Sequence, residues 1–250
     1  MEQLTLEASP QASCVRINHV DRFFSKKQVL FNINLDIPYS QIFGILGPSG
    51  SGKTTLVKMI AGVDEATNGE VYVLDKKMPL LSMLKKIGYM AQADALYGEL
   101  TAAENLNFFA SMFKMPRAKK EQRIKEVLEL VDLTAFITRQ VKHYSGGMKR
   151  RLSLAIALLH EPPILILDEP TVGIDPVLRM SIWEELGKLR DNGTTIIVTT
   201  HVMDELERCD KLGMIRDGKL IASGSPCDLK AAASSSTIEG AFLYFIGERR

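Results

Sequence analysis

Apolar and polar residues alternate in two early stretches of the chain. "CVRINHV" (14–20) and "VLFNINLDI" (29–37) both carry the period of two that half-buried antiparallel strands produce. "QIFGILG" (41–47) is apolar almost throughout, as a strand covered on both faces would be. A glycine-rich turn follows, and then "KTTLVKMIAG", which reads as a helix stopped by Gly62. "EVYVL" (70–74) and "KIGYMAQ" (86–92) add two further strand patterns.

From about Leu100 the period changes from two to 3.6. "TAAENLNFFASMF" begins with Thr101 and Glu104 three apart, the spacing of a capping box. "AKKEQRIKEVLELVDL" sets Ile124, Val127, Leu128 and Val131 on one face, and "RLSLAIALL" repeats Leu152, Ala155, Ile156 and Leu159. The stretch 100–160 therefore predicts a mostly helical lobe. Strand patterns return in "PILILD" (163–168) and "TTIIVTT" (194–200), separated by a helix around 177–191, an alternation that implies parallel strands joined by helices. "KLGMIRDGKLIASG" (211–224) predicts a hairpin turning at Asp217-Gly218. "STIEGAFLYFIGERR" places Ile238, Ala241, Phe242, Phe245 and Ile246 at helical spacing, so a docked C-terminal helix is expected. The first ten or so residues read as a loose tail.

Bulk composition narrows the class only a little. A hydrophobic content of 46% and a charged content of 24% suit a globular chain, and a net charge of +1 gives no support for a nucleic-acid surface. Cys14, Cys209 and Cys227 are odd in number and widely spaced, which predicts a reducing compartment and neither a disulfide framework nor a metal knuckle. "MEQLTLEASPQAS" lacks the features of a signal peptide. No apolar run reaches the roughly 18 residues of a membrane span. A soluble chain is expected, with any membrane role reached through a partner.

The chemistry begins at "GPSGSGKTT" (47–55), which fits the phosphate-loop pattern through Gly47, Gly52, Lys53 and Thr54. Glycines at Gly47, Gly50 and Gly52, with Pro48, Ser49 and Ser51 between them, let successive backbone N–H groups turn toward a phosphate chain. The following helix adds its positive dipole end, and Thr55 completes the expected cofactor-binding run. Lys53 is expected on the β- and γ-phosphates and the Thr54 hydroxyl on Mg²⁺. "ILILDEP" (164–170) ends a buried strand in two carboxylates, where ligands gather in parallel sheets. Asp168 is placed to hold Mg²⁺ through water and Glu169 to polarise an attacking water. His201 ends another core strand, within reach of a γ-phosphate, whereas His19, His143 and His160 read as structural. Gln92 is a candidate for contact with Mg²⁺ or the water, against the plainer reading of an exposed loop residue. Phe24, more than Phe23, is a candidate to stack on adenine, against simple packing. "YSGGMKRR" (144–151) offers a second N–H-rich helix start, and its Lys149, Arg150 and Arg151 read largely as a solvated face.

In this order "GPSGSGKTT", "YMAQ", "YSGGMKRR", "ILILDEP", "VGIDP" and "TTH" resemble the nucleotide-binding subunit of ABC transporters, over roughly residues 14 to 225. The resemblance implies a P-loop NTPase (RecA-like) α/β core with a parallel central sheet, an N-terminal antiparallel β subdomain and an inserted α-helical subdomain. The implied boundaries are a tail over 1–13, a core over 14–95 and 160–230, a helical subdomain over 96–159 and a C-terminal helical extension over 231–250. It also implies ATP and Mg²⁺ as cofactors, with two subunits stacked head to tail, as a homodimer or a heterodimer. Each ATP would lie on one subunit's 47–55 loop and under Ser145, Gly146 and Gly147 of the other, with Asp175 in the loop between them. Tyr144 and Met148 depart from the family's usual Leu and Gln, but the phosphate-facing groups are kept. A polytopic membrane permease is the implied partner, contacted between Gln92 and about Arg117, at the cytoplasmic face of the cell membrane. "LYGELTAAENLNFFASMF", "TVGIDP" and "STIEGAFLYFIG" resemble the ATPase subunits of ABC-2-type exporters in particular. The rival expectation is a non-transport ABC ATPase acting on DNA, ribosomes or cluster assembly. Its usual coiled-coil insertion, tandem ATPase and cysteine motifs are not in this sequence.

Overall fold

The computed structural model describes residues 12–247; most of the expected N-terminal tail lies outside the described residues. Strands β1 (Ser13–Phe24) and β2 (Lys27–Pro38) pair antiparallel, and with β4 (Asn68–Val73) and β5 (Lys76–Lys77) they make a sheet of order β2-β1-β4-β5. The alternation in β1 is not continuous. Val15 and Ile17 are buried two apart, but the next buried residue is Val20, three further on. The pairing register shifts between them and His19 sits at φ 49, so a bulge resets the phase and returns Val20 to the core.

The second sheet has six strands in the order β10-β9-β3-β8-β7-β6. Its parallel members are β3 (Ile42–Leu46), β6 (Ile87–Met90), β7 (Ile164–Asp168), β8 (Thr195–Thr200) and β9 (Lys211–Arg216). Strand β10 (Lys219–Gly224) closes the edge as a hairpin on β9, and Asp217 (φ 49) and Gly218 (φ 74) make the turn expected from their sequence.

Alternate residues of the central strands enter different cores. Ile42 and Leu46, Leu165 and Leu167, and Ile196 and Val198 face a cluster shared with the helices. Phe43, Ile45, Ile164, Ile166 and Ile197 face a cluster shared with the antiparallel sheet and with α1 (Lys53–Ile60). Coverage on both faces is why these segments carry no polar alternation. Helix α1 ends where Gly62 (φ 73) donates to Met59 O at 3.1 Å and Val63 donates to Lys58 O at 2.9 Å, a left-handed C-terminal cap.

Between β6 and β7 run α2 (Ala102–Met112), α3 (Arg117–Leu130) and α4 (Gly146–Leu158). Thr101 caps α2 through the expected box with Glu104. The apolar faces of α2, α3 and α4 join the same cluster as the central sheet, so this helical segment has no separate core. Helix α5 (Pro176–Asp191) links β7 to β8. The short α6 (Met203–Leu206) and α7 (Pro226–Ala232) were not apparent in the hydrophobic pattern. Helix α8 (Ile238–Phe245) docks through Ile238 and Ala241, as the spacing predicts. Among the described residues no helix is long and apolar enough to cross a membrane. Cys14 and Cys209 are buried, Cys227 is exposed, and all three are free thiols.

Candidate active site

Parallel pairing levels the carboxyl ends of four neighbouring strands. Leu46 stands opposite Thr200, Asp168 opposite Thr199, and Met90 opposite Leu167. The residues that leave these strands are therefore Gly47, His201, Glu169 and Ala91-Gln92, and they emerge side by side. Motifs more than 100 residues apart in sequence become one site through strand register alone.

The loop 47–55 turns from β3 into α1. Gly47 has no room for a side chain, because a Cβ there would come within 2.3 Å of Ile215 O. Gly52 caps α1 at φ 105, a conformation that favours glycine. The loop is braced from the β9–β10 hairpin, where Gly218 N donates to Ser51 O at 3.1 Å. Lys53 is buried, and its Nζ donates to Gly47 O at 2.6 Å and Pro48 O at 3.1 Å across the loop. Burial lowers its pKa, opposed by the charges of Glu169 and Asp168. Pro48, Ser49 and Gly50 are exposed, Thr54 and Thr55 are half-buried, and the buried Ser51 hydroxyl has no partner.

Asp168 is 1% exposed. Its Oδ1 accepts from the Thr199 hydroxyl, while Oδ2 is buried with no hydrogen-bond partner. Glu169 sits at φ 55, unusual for a residue with a side chain. Its N–H donates to Thr199 O at 3.0 Å and faces Thr199 Oγ1 at 3.1 Å, which fixes this conformation. Its carboxylate accepts from Gln92 Nε2 at 3.5 Å and lies 3.3 Å from His201 Nδ1. The structure thus gathers Lys53, Gln92, Asp168, Glu169 and His201.

Other expected residues stand apart from that cluster. Phe24 is 46% exposed and carries the Arg22 guanidinium 4.4 Å from its ring centre. Ser145 caps α4 by accepting from Met148 N at 3.2 Å. A Cβ on Gly146 would meet nothing within 4 Å, and one on Gly147 would come within 2.8 Å of Gly173 O. Asp175 is exposed and caps α5, accepting from Leu178 N at 3.0 Å.

Two buried charged residues were missed. The expectation that Lys149, Arg150 and Arg151 form a solvated face fails at Arg150, which is 7% exposed. Its guanidinium donates to Ala91 O at 2.6 Å, Gln92 O at 3.0 Å and Glu169 O at 2.8 Å, and also to Asp168 O. Arg151 also folds back, donating to Val131 O at 3.0 Å and Asp132 O at 2.9 Å. The signal was available, since Arg150 shares a helical face with Leu154, Ala157 and Leu158, all buried. The second is Glu205, 3% exposed, which accepts from Thr171 Oγ1 at 2.5 Å and Thr200 Oγ1 at 2.7 Å. It ties the loop after β7 to the loop that carries His201.

Among the described residues no group of three or more His, Cys, Asp and Glu side chains is arranged to hold a metal. The unpartnered Asp168 Oδ2 suits instead an ion that takes few protein ligands and completes its shell with phosphate oxygens and water, as Mg²⁺ does.

The family model for ABC transporters matches residues 30–172. The probable multidrug ABC transporter ATP-binding protein YbhF of Escherichia coli (strain K12) is 37% identical over 249 residues, covering 97% of this chain and 43% of that protein. The linearmycin resistance ATP-binding protein LnrL of Bacillus subtilis (strain 168) is 38% identical over 229 residues, covering 90% of this chain and 73% of that protein. The chain thus spans less than half the length of YbhF and about three quarters of LnrL. A solved ATP-binding subunit of an ABC transporter superposes with a TM-score of 0.86 at 24% identity, over 94% of this chain and 100% of the other, a likeness of fold. The cassette MJ0796, solved as a dimer in a post-hydrolysis state with ADP and Pi, superposes with a TM-score of 0.78 at 29% identity, over 84% of this chain and 98% of the other.

Proposed function

The chain belongs to the ABC transporter family, and from that premise we propose that it is an ATP-hydrolysing subunit that dimerises around two ATP molecules and drives export through a separate membrane-spanning partner. The observation that carries this reading is the placement of Glu169. It stands at the end of a buried strand beside Asp168, faces both Gln92 and His201, and is held in a left-handed conformation by Thr199.

In this mechanism the N–H groups of 47–55 and the α1 dipole cradle the phosphate chain. Lys53 exchanges its bonds to Gly47 and Pro48 for phosphate oxygens. Glu169 accepts a proton from the attacking water, which Gln92 helps to place. His201 donates to the γ-phosphate and keeps Glu169 aimed. Asp168 through Oδ2, Thr54 and Gln92 are the residues that would hold Mg²⁺, which when bound neutralises charge on the β- and γ-phosphate oxygens. Phe24 stacks on the adenine. Ser145, Gly146 and Gly147 close on the partner's ATP, and Asp175 lines the seam.

The division into a core over 14–95 and 160–230 and a helical unit over 96–159 belongs to the same reading. So does docking of the permease between Gln92 and about Arg117, at the cytoplasmic face of the membrane. The names of YbhF and LnrL, for multidrug transport and linearmycin resistance, support reading the direction as export.

Glu169→Gln is the test. Loss of a general base typically lowers turnover 10²–10⁴-fold, while nucleotide binding persists and an ATP-bound dimer accumulates. Near-normal hydrolysis by that variant removes Glu169 from its role. A pull-down from detergent-solubilised membrane should return a polytopic protein, and recovery of ribosomes or DNA in its place refutes the transport reading.

A further inference from the structure

Helix α4 has two distinct ends of business within a turn and a half. Its N-terminus presents Ser145, Gly146 and Gly147, and Gly146 faces open space. Arg150 turns the other way, into the chain's own site. Its four carbonyl partners belong to two loops, Ala91 and Gln92 after β6 and Asp168 and Glu169 at the end of β7. The same α4 face adds Ser153, whose hydroxyl donates to Asp94 Oδ1 at 2.8 Å, and Asp94 lies 3.7 Å from Arg150. The loop carrying Gln92 is therefore fastened to α4 at three residues, and the backbone of Glu169 at one.

Burying a guanidinium is unfavourable unless its donors are met, and here backbone carbonyls from both loops meet them. The bonds reach main-chain atoms, so they fix where Gln92 and Glu169 begin, whatever their side chains do. Glu169 is also the one carboxylate of the cluster whose backbone sits at positive φ, a conformation that persists only under restraint.

We propose that Arg150 is a positioning residue that couples the two ATP sites of the dimer. A movement of α4, caused when Ser145–Gly147 closes on the partner's ATP, is passed through Arg150 to the Gln92–Glu169 pair of the chain's own site. This rests on the reading above, in which 145–147 serves one ATP and Glu169 another.

The experiment uses the full chain with Mg-ATP and compares Arg150→Met, Arg150→Lys and Glu169→Gln. Displacement of a reacting group by about 1 Å is worth about 100-fold in rate. Arg150→Met should therefore lower kcat about 100-fold and leave the KM for ATP within about threefold. Its Hill coefficient for ATP should fall toward one. Arg150→Lys keeps some of the carbonyl bonds and should recover about tenfold of the lost kcat. A purely structural arginine would lower the melting temperature without this split between kcat and KM or the change in Hill coefficient. Should the Met variant not fold, the Lys variant alone decides, since wild-type kcat and cooperativity there overturn the proposal. An inactive Glu169→Gln beside a fully active Arg150→Met refutes this inference only. A fully active Glu169→Gln refutes the functional reading and this inference with it.

Discussion

His160 should make the stability of this protein depend on pH in a way that one substitution removes. It follows α4 and leads into β7, and its ring stacks on Phe113 with centroids 3.7 Å apart and planes 12° apart. Both ring nitrogens are buried without a hydrogen-bond partner. Burial pushes the imidazole from its ordinary 6.5 down to about 4, and the backbone near Ile87 opposes this without closing a hydrogen bond. Between those two values the unfolded chain binds a proton that the folded chain rejects, so folding weakens as pH falls. The contribution is fully present above about pH 6.5 and is gone below about pH 4. At about 1.4 kcal/mol per pH unit, the interval is worth roughly 3 kcal/mol, most of which is lost by pH 4.5.

Trp183 is the sole tryptophan and is 4% exposed, so its fluorescence can follow urea unfolding. The measurement is unfolding free energy from pH 7.5 to 4.5 for the natural chain and for His160→Phe, which keeps an aromatic face against Phe113. Comparing slopes cancels any constant packing difference between the two. The natural chain should lose about 2 to 3 kcal/mol more than the variant over that range. Parallel curves would refute the reasoning, because titrating carboxylates are common to both proteins.

Other substitutions test the site itself. Lys53→Met removes an ammonium held at 2.6 and 3.1 Å from two loop carbonyls. Charge-assisted bonds are worth about 1.5–3 kcal/mol, so its Kd for ATP should rise at least tenfold, and an unchanged Kd contradicts the role given to Lys53. Ser145→Arg should bind nucleotide normally yet fail to form the ATP-driven dimer in light scattering, and undiminished dimerisation counts against a shared site. Glu205→Ala removes the acceptor to which the Thr171 and Thr200 hydroxyls donate. At about 1–3 kcal/mol for each unsatisfied buried group, it should lower stability by several kcal/mol in urea, and a loss under about 0.5 kcal/mol would show the network to be incidental.

What the sequence revealed and what it concealed follow from the range of the forces involved. Strands buried on both faces were readable as unbroken apolar runs, and Thr101 with Glu104 announced α2 because a cap is a local interaction. Helix α7 also begins on local chemistry, with Ser225 accepting from Asp228 N and Pro226 at the first turn, but its seven residues are too few to display a period. The burial of Arg150 could be read from its helical face, but the partners of Arg150 and Glu205 were hidden for a different reason. Those partners lie 18 to 59 residues away for Arg150 and up to 34 for Glu205, and most of them are backbone carbonyls or threonine hydroxyls, groups that occur everywhere. A sequence motif marks residues that meet a ligand. It does not mark the buried charges that hold those residues in place.

That distinction explains how a site spread over half the chain can be geometrically defined. Strand register aligns the exits of β3, β6, β7 and β8, but it fixes only where each loop starts. Beyond the last ladder bond, the loops need other restraints. The loop 47–55 is braced by the β9–β10 hairpin through Gly218, and the loops bearing Glu169 and Gln92 are gripped by Arg150. Glu205 joins the loop after Glu169 to the one bearing His201. Each catalytic candidate is thus anchored by an element outside its own strand. One of those anchors lies on α4, whose N-terminus in the proposed dimer serves the other ATP. On that proposal, two half-sites that look redundant in one chain are parts of a single mechanical unit, in which closure at one nucleotide sets the geometry at the next.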